Sequence, residues 1–228
     1  MKKLIFFLMV GFLFSFLSGC DFLDNRHDGY SRNNAWISFG LIQKDTVSGI
    51  FTIALDDGSI LKPEANSGWN SRVSNNQRVL ANYSIIGDKK DTLNTVQYLV
   101  RINSLRSILF KKIVTLTPAI ADSIGNDPIH VNDHWLKNNM LNFELSYFGG
   151  SKIHFINLVM QPNATATEPV VLELRHNANK DPESIHLSAV VTFDVSSLKV
   201  AGKDSISFRV IAKDFNGDDF GYTGVYKY

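Results

Sequence analysis

The chain has 228 residues, 23 basic and 22 acidic side chains, and a formal charge of +1. That balance excludes the strongly basic face on which nucleic-acid binding rests, and a hydrophobic content of 44% supplies material for one or two packed cores. A single cysteine, Cys20, excludes an internal disulfide and any metal site built from several cysteines.

Met1-Lys2-Lys3 is a short positive start, and Leu4 to Leu17 is apolar at nearly every position. The run is too short to span a bilayer, which takes about 20 apolar residues. Its length and flanks fit the apolar core of a signal peptide. It ends in Leu17-Ser18-Gly19-Cys20, which resembles the lipobox of bacterial lipoproteins. Small residues suit a peptidase that needs a narrow chain at the cut, and the thiol is the nucleophile that takes a diacylglyceryl group. The expectation is cleavage before Cys20 and covalent lipid on its sulfur; the alternative is an ordinary secretory signal with a stray thiol. Removing residues 1–19 from 228 leaves 209, and the loss of Lys2 and Lys3 leaves 21 basic against 22 acidic side chains. One acyl chain holds a protein marginally and several hold it durably. Residues 20–35 are polar and mixed, the composition of a tether.

From Trp36 onward the hydrophobic period is two, which predicts strands. Trp36–Ile42, Phe51–Leu55 and Ile60–Pro63 come first. Asp56-Asp57-Gly58-Ser59 between the second and third is a tight-turn composition. Arg78–Ile86 follows, ended by Gly87-Asp88-Lys89-Lys90-Asp91, then Val96–Ile102 and a further strand within Ser107–Thr117. Five or so short strands in about 80 residues predict a small barrel over 36–117. Thr117-Pro118 to Asp127-Pro128 is turn-rich, with one helical turn near Ile120–Ile124, and the domain boundary is set there. Strands over Leu141–Tyr147, Ile153–Met160, Val170–His176, Val190–Val195 and Ile206–Ala212 predict an antiparallel β-sandwich over 118–228. Within them His154, Ile156, Leu158 and Met160 share one face. Val170, Leu172, Leu174 and His176 share another, opposite Val171, Glu173 and Arg175.

In order along the chain stand Asp56-Asp57-Gly58-Ser59, Asn76-Gln77-Arg78-Val79 with Asn82-Tyr83-Ser84, Gly125-Asn126-Asp127-Pro128, Trp135, and Leu141-Asn142-Phe143. His154-Phe155-Ile156-Asn157-Leu158-Val159, Leu172-Glu173-Leu174-Arg175-His176-Asn177 and Phe193-Asp194-Val195 complete the series. This set resembles the NigD-like lipoproteins of Bacteroidetes over nearly all of the mature chain, from about Ser38. The resemblance implies an all-β chain with an N-terminal OB-like barrel and a C-terminal β-sandwich. It also implies an outer-membrane address and, through the bacteriocin gene cluster behind the family's name, an immunity-type role.

The candidate chemistry lies in Arg175, His176 and Asn177. Together they could form a polar pocket for an anion or sugar, since arginine presents a planar fork of donors. Against this, Arg175 could pair across strands with Glu144, and Asn177 could cap the turn Asn177-Ala178-Asn179-Lys180-Asp181. His130 and His134 have His-x-x-x-His spacing, but that aligns two ligands only on a helix, and the surrounding residues read as strand. His154 and His176 read as core histidines, so no metal is expected. Neither Gly-x-Ser-x-Gly nor a glycine-rich phosphate loop is present. Asp56 and Asp57 read as turn residues. Trp69, in Asn66-Ser67-Gly68-Trp69-Asn70-Ser71, is a candidate aromatic contact for a sugar or peptide, or else folds onto the barrel end. Asn82-Tyr83-Ser84 and Asn163-Ala164-Thr165 match the glycosylation sequon only incidentally.

The first expectation is therefore a non-enzymatic, lipid-anchored envelope protein, without cofactor, that binds a protein, peptide or glycan. Asp21-Phe22-Leu23-Asp24 is not a dense acidic export signal, which points to the periplasmic face of the outer membrane. The second is an envelope hydrolase using Arg175, His176 and Asp181 in a cleft; the third is a structural subunit of a surface assembly.

Overall fold

The computed structural model describes residues 35–65, 68–90, 95–166, 168–215 and 217–228. The signal sequence, Cys20 and all but the last residue of the expected tether lie outside the described residues. The first half forms β1 (Ala35–Lys44), β2 (Phe51–Leu55), β3 (Ile60–Pro63), β4 (Arg78–Lys90) and β5 (Val96–Ser107). These close into a barrel in the order β1-β2-β3-β5-β4. Alternation dictates the inward set: Ile42, Ile53, Leu61, Val79, Ala81 and Val100 are wholly buried in one core. The β2–β3 turn forms as its composition requires. Gly58 takes a positive φ of 93°, and Asp57 Oδ1 accepts from Ser59 N at 2.8 Å. β4 does not end at Gly87. It continues to Lys90 through a register shift between Ile85 and Gly87, so this glycine marks a bulge and not a turn.

The second half contains β6 (Leu109–Lys112), β7 (Val114–Thr115), α1 (Pro118–Ile124), β8 (His130–Lys137), β9 (Met140–Gly149) and β10 (Phe155–Met160). β11 (Val170–Asn177), β12 (Ile185–Asp194), β13 (Ser205–Ala212) and β14 (Phe220–Lys227) follow. Two sheets, β14-β13-β11-β10-β7 and β6-β12-β9-β8, make the sandwich. Leu141, Phe143, Leu145, Leu158, Leu172, Phe193 and Phe208 meet between them with no exposed surface.

Two expectations change. The boundary is not at Thr117. β6 pairs in parallel with β12, Leu109 opposite Val191, and β7 pairs in parallel with β10, Val114 opposite Val159. Residues 109–115 therefore belong to the sandwich, and the barrel ends at Ser107. The sandwich is also mixed and not purely antiparallel, since β11 and β13 run parallel as well.

Barrel and sandwich meet at Arg78, which is 1% exposed. Its guanidinium holds both oxygens of Asp56, at 2.5 and 2.6 Å, within the barrel. It also reaches Asn142 Oδ1 on β9 at 3.2 Å, and Thr192 Oγ1 donates to that same oxygen at 2.7 Å. Phe39 lies 5.4 Å from the guanidinium and packs on Trp135 of β8 at 5.4 Å. Asp56 is thus a turn residue and also an ionic partner across the barrel.

Candidate functional site

At one end of the sandwich three loops converge: 125–129 after α1, 149–154 between β9 and β10, and 178–184 between β11 and β12. The last begins with a tight turn. Asn179 and Lys180 both adopt positive φ, 56° and 54°, and Asp181 N donates to Ala178 O at 2.9 Å. That turn swings the Asp181 carboxylate inward, where its side chain has no exposed surface. Backbone donors meet it there, Gly150 N at 2.5 Å and Ser151 N at 3.2 Å. These hydrogen bonds, Gly150 first, hold its carboxyl at about 2.

From Asp181 a chain of hydrogen bonds runs through the sandwich end. His154 Nε2 lies 3.1 Å from Asp181 Oδ2. His154 Nδ1 lies 2.8 Å from His176 Nε2, and His176 Nδ1 lies 2.9 Å from Pro128 O. The two rings stack with centroids 5.0 Å apart, and Tyr147 packs on both, at 5.0 and 5.2 Å. β10 and β11 make this possible by setting Ile156 opposite His176, so that His154 and His176 are diagonal neighbours on the inner face. Gly149 leaves the room: a Cβ there would lie 2.7 Å from His154 Nε2. Burial pushes the His176 imidazole below the usual histidine range and the Tyr147 phenol above its own.

Above this relay opens a cleft of about 610 Å³. Asp122, Lys152, Lys180 and Glu183 supply charge, and Phe148 and Phe215 meet edge to face at 5.3 Å. Lys152 Nζ ties the loops by donating to Asn179 O and Lys180 O. Every ring nitrogen of His154 and His176 already has a protein partner, so neither imidazole has a nitrogen free to take a proton from a molecule in the cleft.

The expected site residues do not gather in one place. His176 and Asp181 join through His154, which the sequence reading placed in the core and outside the site. Arg175 points to the opposite face of β11, where its Nε donates to Glu173 Oε2 at 2.7 Å and Nη1 to Gly125 O at 3.3 Å. Its ion pair is therefore with a neighbour on its own strand and not with Glu144. The reason is that residues two apart on a strand share a face. The Asn177 amide is spent on structure: Nδ2 donates to Ser123 O at 2.8 Å, and Oδ1 accepts from Asn179 N at 2.7 Å. Trp69 is on the barrel, half-buried against its core, with the Arg72 guanidinium 5.7 Å from its ring. His130 and His134 both lie on β8. His130 Nδ1 is 2.7 Å from Asp214, and the His134 ring is 4.0 Å from that of Tyr222. Gly149, Gly150 and Tyr147 were not anticipated. A Gly-Gly pair directly after a strand of inward aromatics was the available signal, and it reads equally well as a plain turn.

Comparison with known proteins gives a consistent result. No curated protein matches the chain. The NigD-like N-terminal OB domain matches residues 39–108, and the NigD-like C-terminal β-sandwich domain matches residues 112–224. A toxin-related protein of Parabacteroides distasonis superposes with a TM-score of 0.71 at 29% identity, over 85% of this chain and 94% of that one. A NigD-like immunity protein from Bacteroides caccae gives 0.62 at 22% identity over 88% and 99%. A lipoprotein from Bacteroides fragilis gives 0.61 at 11% identity over 86% and 98%. With both domains matched in order across most of its length, the chain belongs to the NigD-like family.

Proposed function

We propose that this protein is a lipid-anchored, non-enzymatic envelope factor that binds a protein or peptide partner in the cleft at the end of its sandwich. The observation that carries this reading is the pairing of an open 610 Å³ cleft with a histidine relay whose nitrogens are all consumed internally. A hydrolase needs a free base beside a nucleophile, whereas a binding cleft needs a rigid floor and a mixed apolar and charged rim. Phe148, Phe215, Asp122, Lys152, Lys180 and Glu183 make such a rim. Kinship with a NigD-like immunity protein and a toxin-related protein supports an immunity-type role, in which the partner is the toxic protein or its target. Lipid on Cys20 would hold the module at the periplasmic face of the outer membrane. No helix among the described residues is long and apolar enough to cross a membrane.

The test is a pull-down from solubilised membranes with the intact lipoprotein and with Phe148→Ala/Lys152→Glu. The expected outcome is one stoichiometric partner captured by the first and lost from the second. Capture that is indifferent to these substitutions would place the binding surface elsewhere. In parallel, Cys20→Ala should move the protein from the membrane to the soluble fraction.

A further inference from the structure

The relay contains more hydrogen bonds than two neutral histidines can supply. Along it lie three contacts, Asp181 Oδ2 to His154 Nε2 at 3.1 Å, His154 Nδ1 to His176 Nε2 at 2.8 Å, and His176 Nδ1 to Pro128 O at 2.9 Å. Each contact needs one proton. Both ends of the chain are acceptors, a carboxylate and a carbonyl. A neutral imidazole carries one N–H, so two carry two, and one contact would be left as lone pair against lone pair. With His176 Nδ1–H donating to Pro128 O, its Nε2 must accept from His154 Nδ1–H. His154 Nε2 must then also carry a proton to meet Asp181.

We propose that His154 and His176 hold one proton more than two neutral imidazoles. They thereby form a buried imidazolium–carboxylate pair with Asp181 that latches the three cleft loops together and releases them when that proton leaves. The proton sits on His154, for two reasons. His154 is the ring beside the carboxylate, and a carboxylate already held ionised by Gly150 N and Ser151 N offers the compensating charge. His176 is the ring that burial keeps neutral.

The groups facing the pair from each packed element are known. Asp181 comes from the β11–β12 loop and Tyr147 from β9. Asp127, from the loop after α1, accepts from Ala178 N at 2.7 Å. Asp122 of α1, Lys152, Lys180 and Glu183 stand on the cleft rim. The latch joins Pro128 to Gly150 and Asp181, one residue from each loop, so losing any of its three bonds frees a wall of the cleft. The sign follows from which state holds the proton more tightly. The closed arrangement binds it and the opened one does not, so closure is favoured at lower pH and lost as pH rises through proton release. This inference rests on the hydrogen-bond count and does not depend on what occupies the cleft.

The test is nitrogen NMR of histidine-labelled full-length protein, with His154 and His176 assigned through their contacts to the Tyr147 ring. At neutral pH the expected spectrum shows three imidazole N–H groups from the pair, two on His154 and one on Nδ1 of His176. Raising the pH removes one of them, together with the hydrogen-exchange protection of the Gly150 and Ser151 amides. A neutral spectrum with two N–H groups from the pair overturns the proposal. Asp181→Asn removes the compensating charge and should return His154 to one N–H at neutral pH. A folded Asp181→Asn protein that keeps all three also overturns it, and where this variant does not fold, the wild-type spectrum decides alone.

Discussion

At the scale of single residues, the site depends on what surrounds its charged groups more than on the groups themselves. Asp181 shows this through pH. Its carboxyl sits near 2, below the ordinary 3.8, because backbone amides of the glycine loop donate to it. A carboxyl depressed in the folded state stabilises the fold fully above its unfolded value, and that contribution disappears as pH falls from about 4 through 2. Denaturant unfolding of wild type and Asp181→Asn should therefore differ by a steady amount between about pH 5 and neutrality, the range in which the His154–Asp181 latch is held. The gap should close as the pH is lowered toward 2, and a gap that widens instead would mean Asp181 is not stabilising. Gly149 is the second case. A methyl group there would press within 2.8 Å of the His154 ring, and a ring locked between Tyr147 and His176 has little room to retreat. Gly149→Ala should cost about 1–3 kcal/mol as an overpacked site, read as a lowered Tm together with loss of the His154–Asp181 hydrogen bond by NMR. An unchanged Tm would show that the ring is free to move.

At the scale of elements, the strands were largely legible and their partners were not. Alternation is a local property. The burial of Leu141, Phe143 and Leu145, and of Leu172, Leu174 and His176, follows from the order of residues within each strand. The sheet a short strand joins depends on residues far away. Nothing local in Leu109–Lys112 points to Val191–Asp194, and the boundary was accordingly placed ten residues too late. The relay escaped for the same reason. His154, His176 and Asp181 meet through the β10–β11 register and an inward turn at Asn179-Lys180, whereas Arg175 and Asn177 stand out in sequence through arginine's fork of donors and their place beside His176. The boundary has a direct consequence for fragments. A fragment starting at Ile108 keeps β6 and β7, while one starting at Pro118 strips β12 and β10 of their parallel partners and exposes two edges. The longer fragment should give a cooperative thermal transition and a monodisperse peak by size exclusion, and the shorter one should aggregate. Equal behaviour of the two would show these strands to be dispensable.

At the scale of the whole molecule, the barrel and the sandwich are joined by chemistry as well as by chain. Arg78 is buried with its charge shared between Asp56 of the barrel and Asn142 of the sandwich. Arg78→Ala leaves a partly buried carboxylate without its cation, a change of about 3–5 kcal/mol when one member of a buried pair is removed. The expected result is a calorimetric trace that splits into two transitions, with new protease cleavage near Ile108. A single transition at an unchanged temperature would mean that the contact does not couple the domains. The covalent joint itself is short, since β5 ends at Ser107 and β6 begins at Leu109. One residue of slack gives the cleft no independent reach. A rotation of the barrel against the sandwich therefore has a single residue, Ile108, in which to be absorbed before it reaches the edge of the four-stranded sheet.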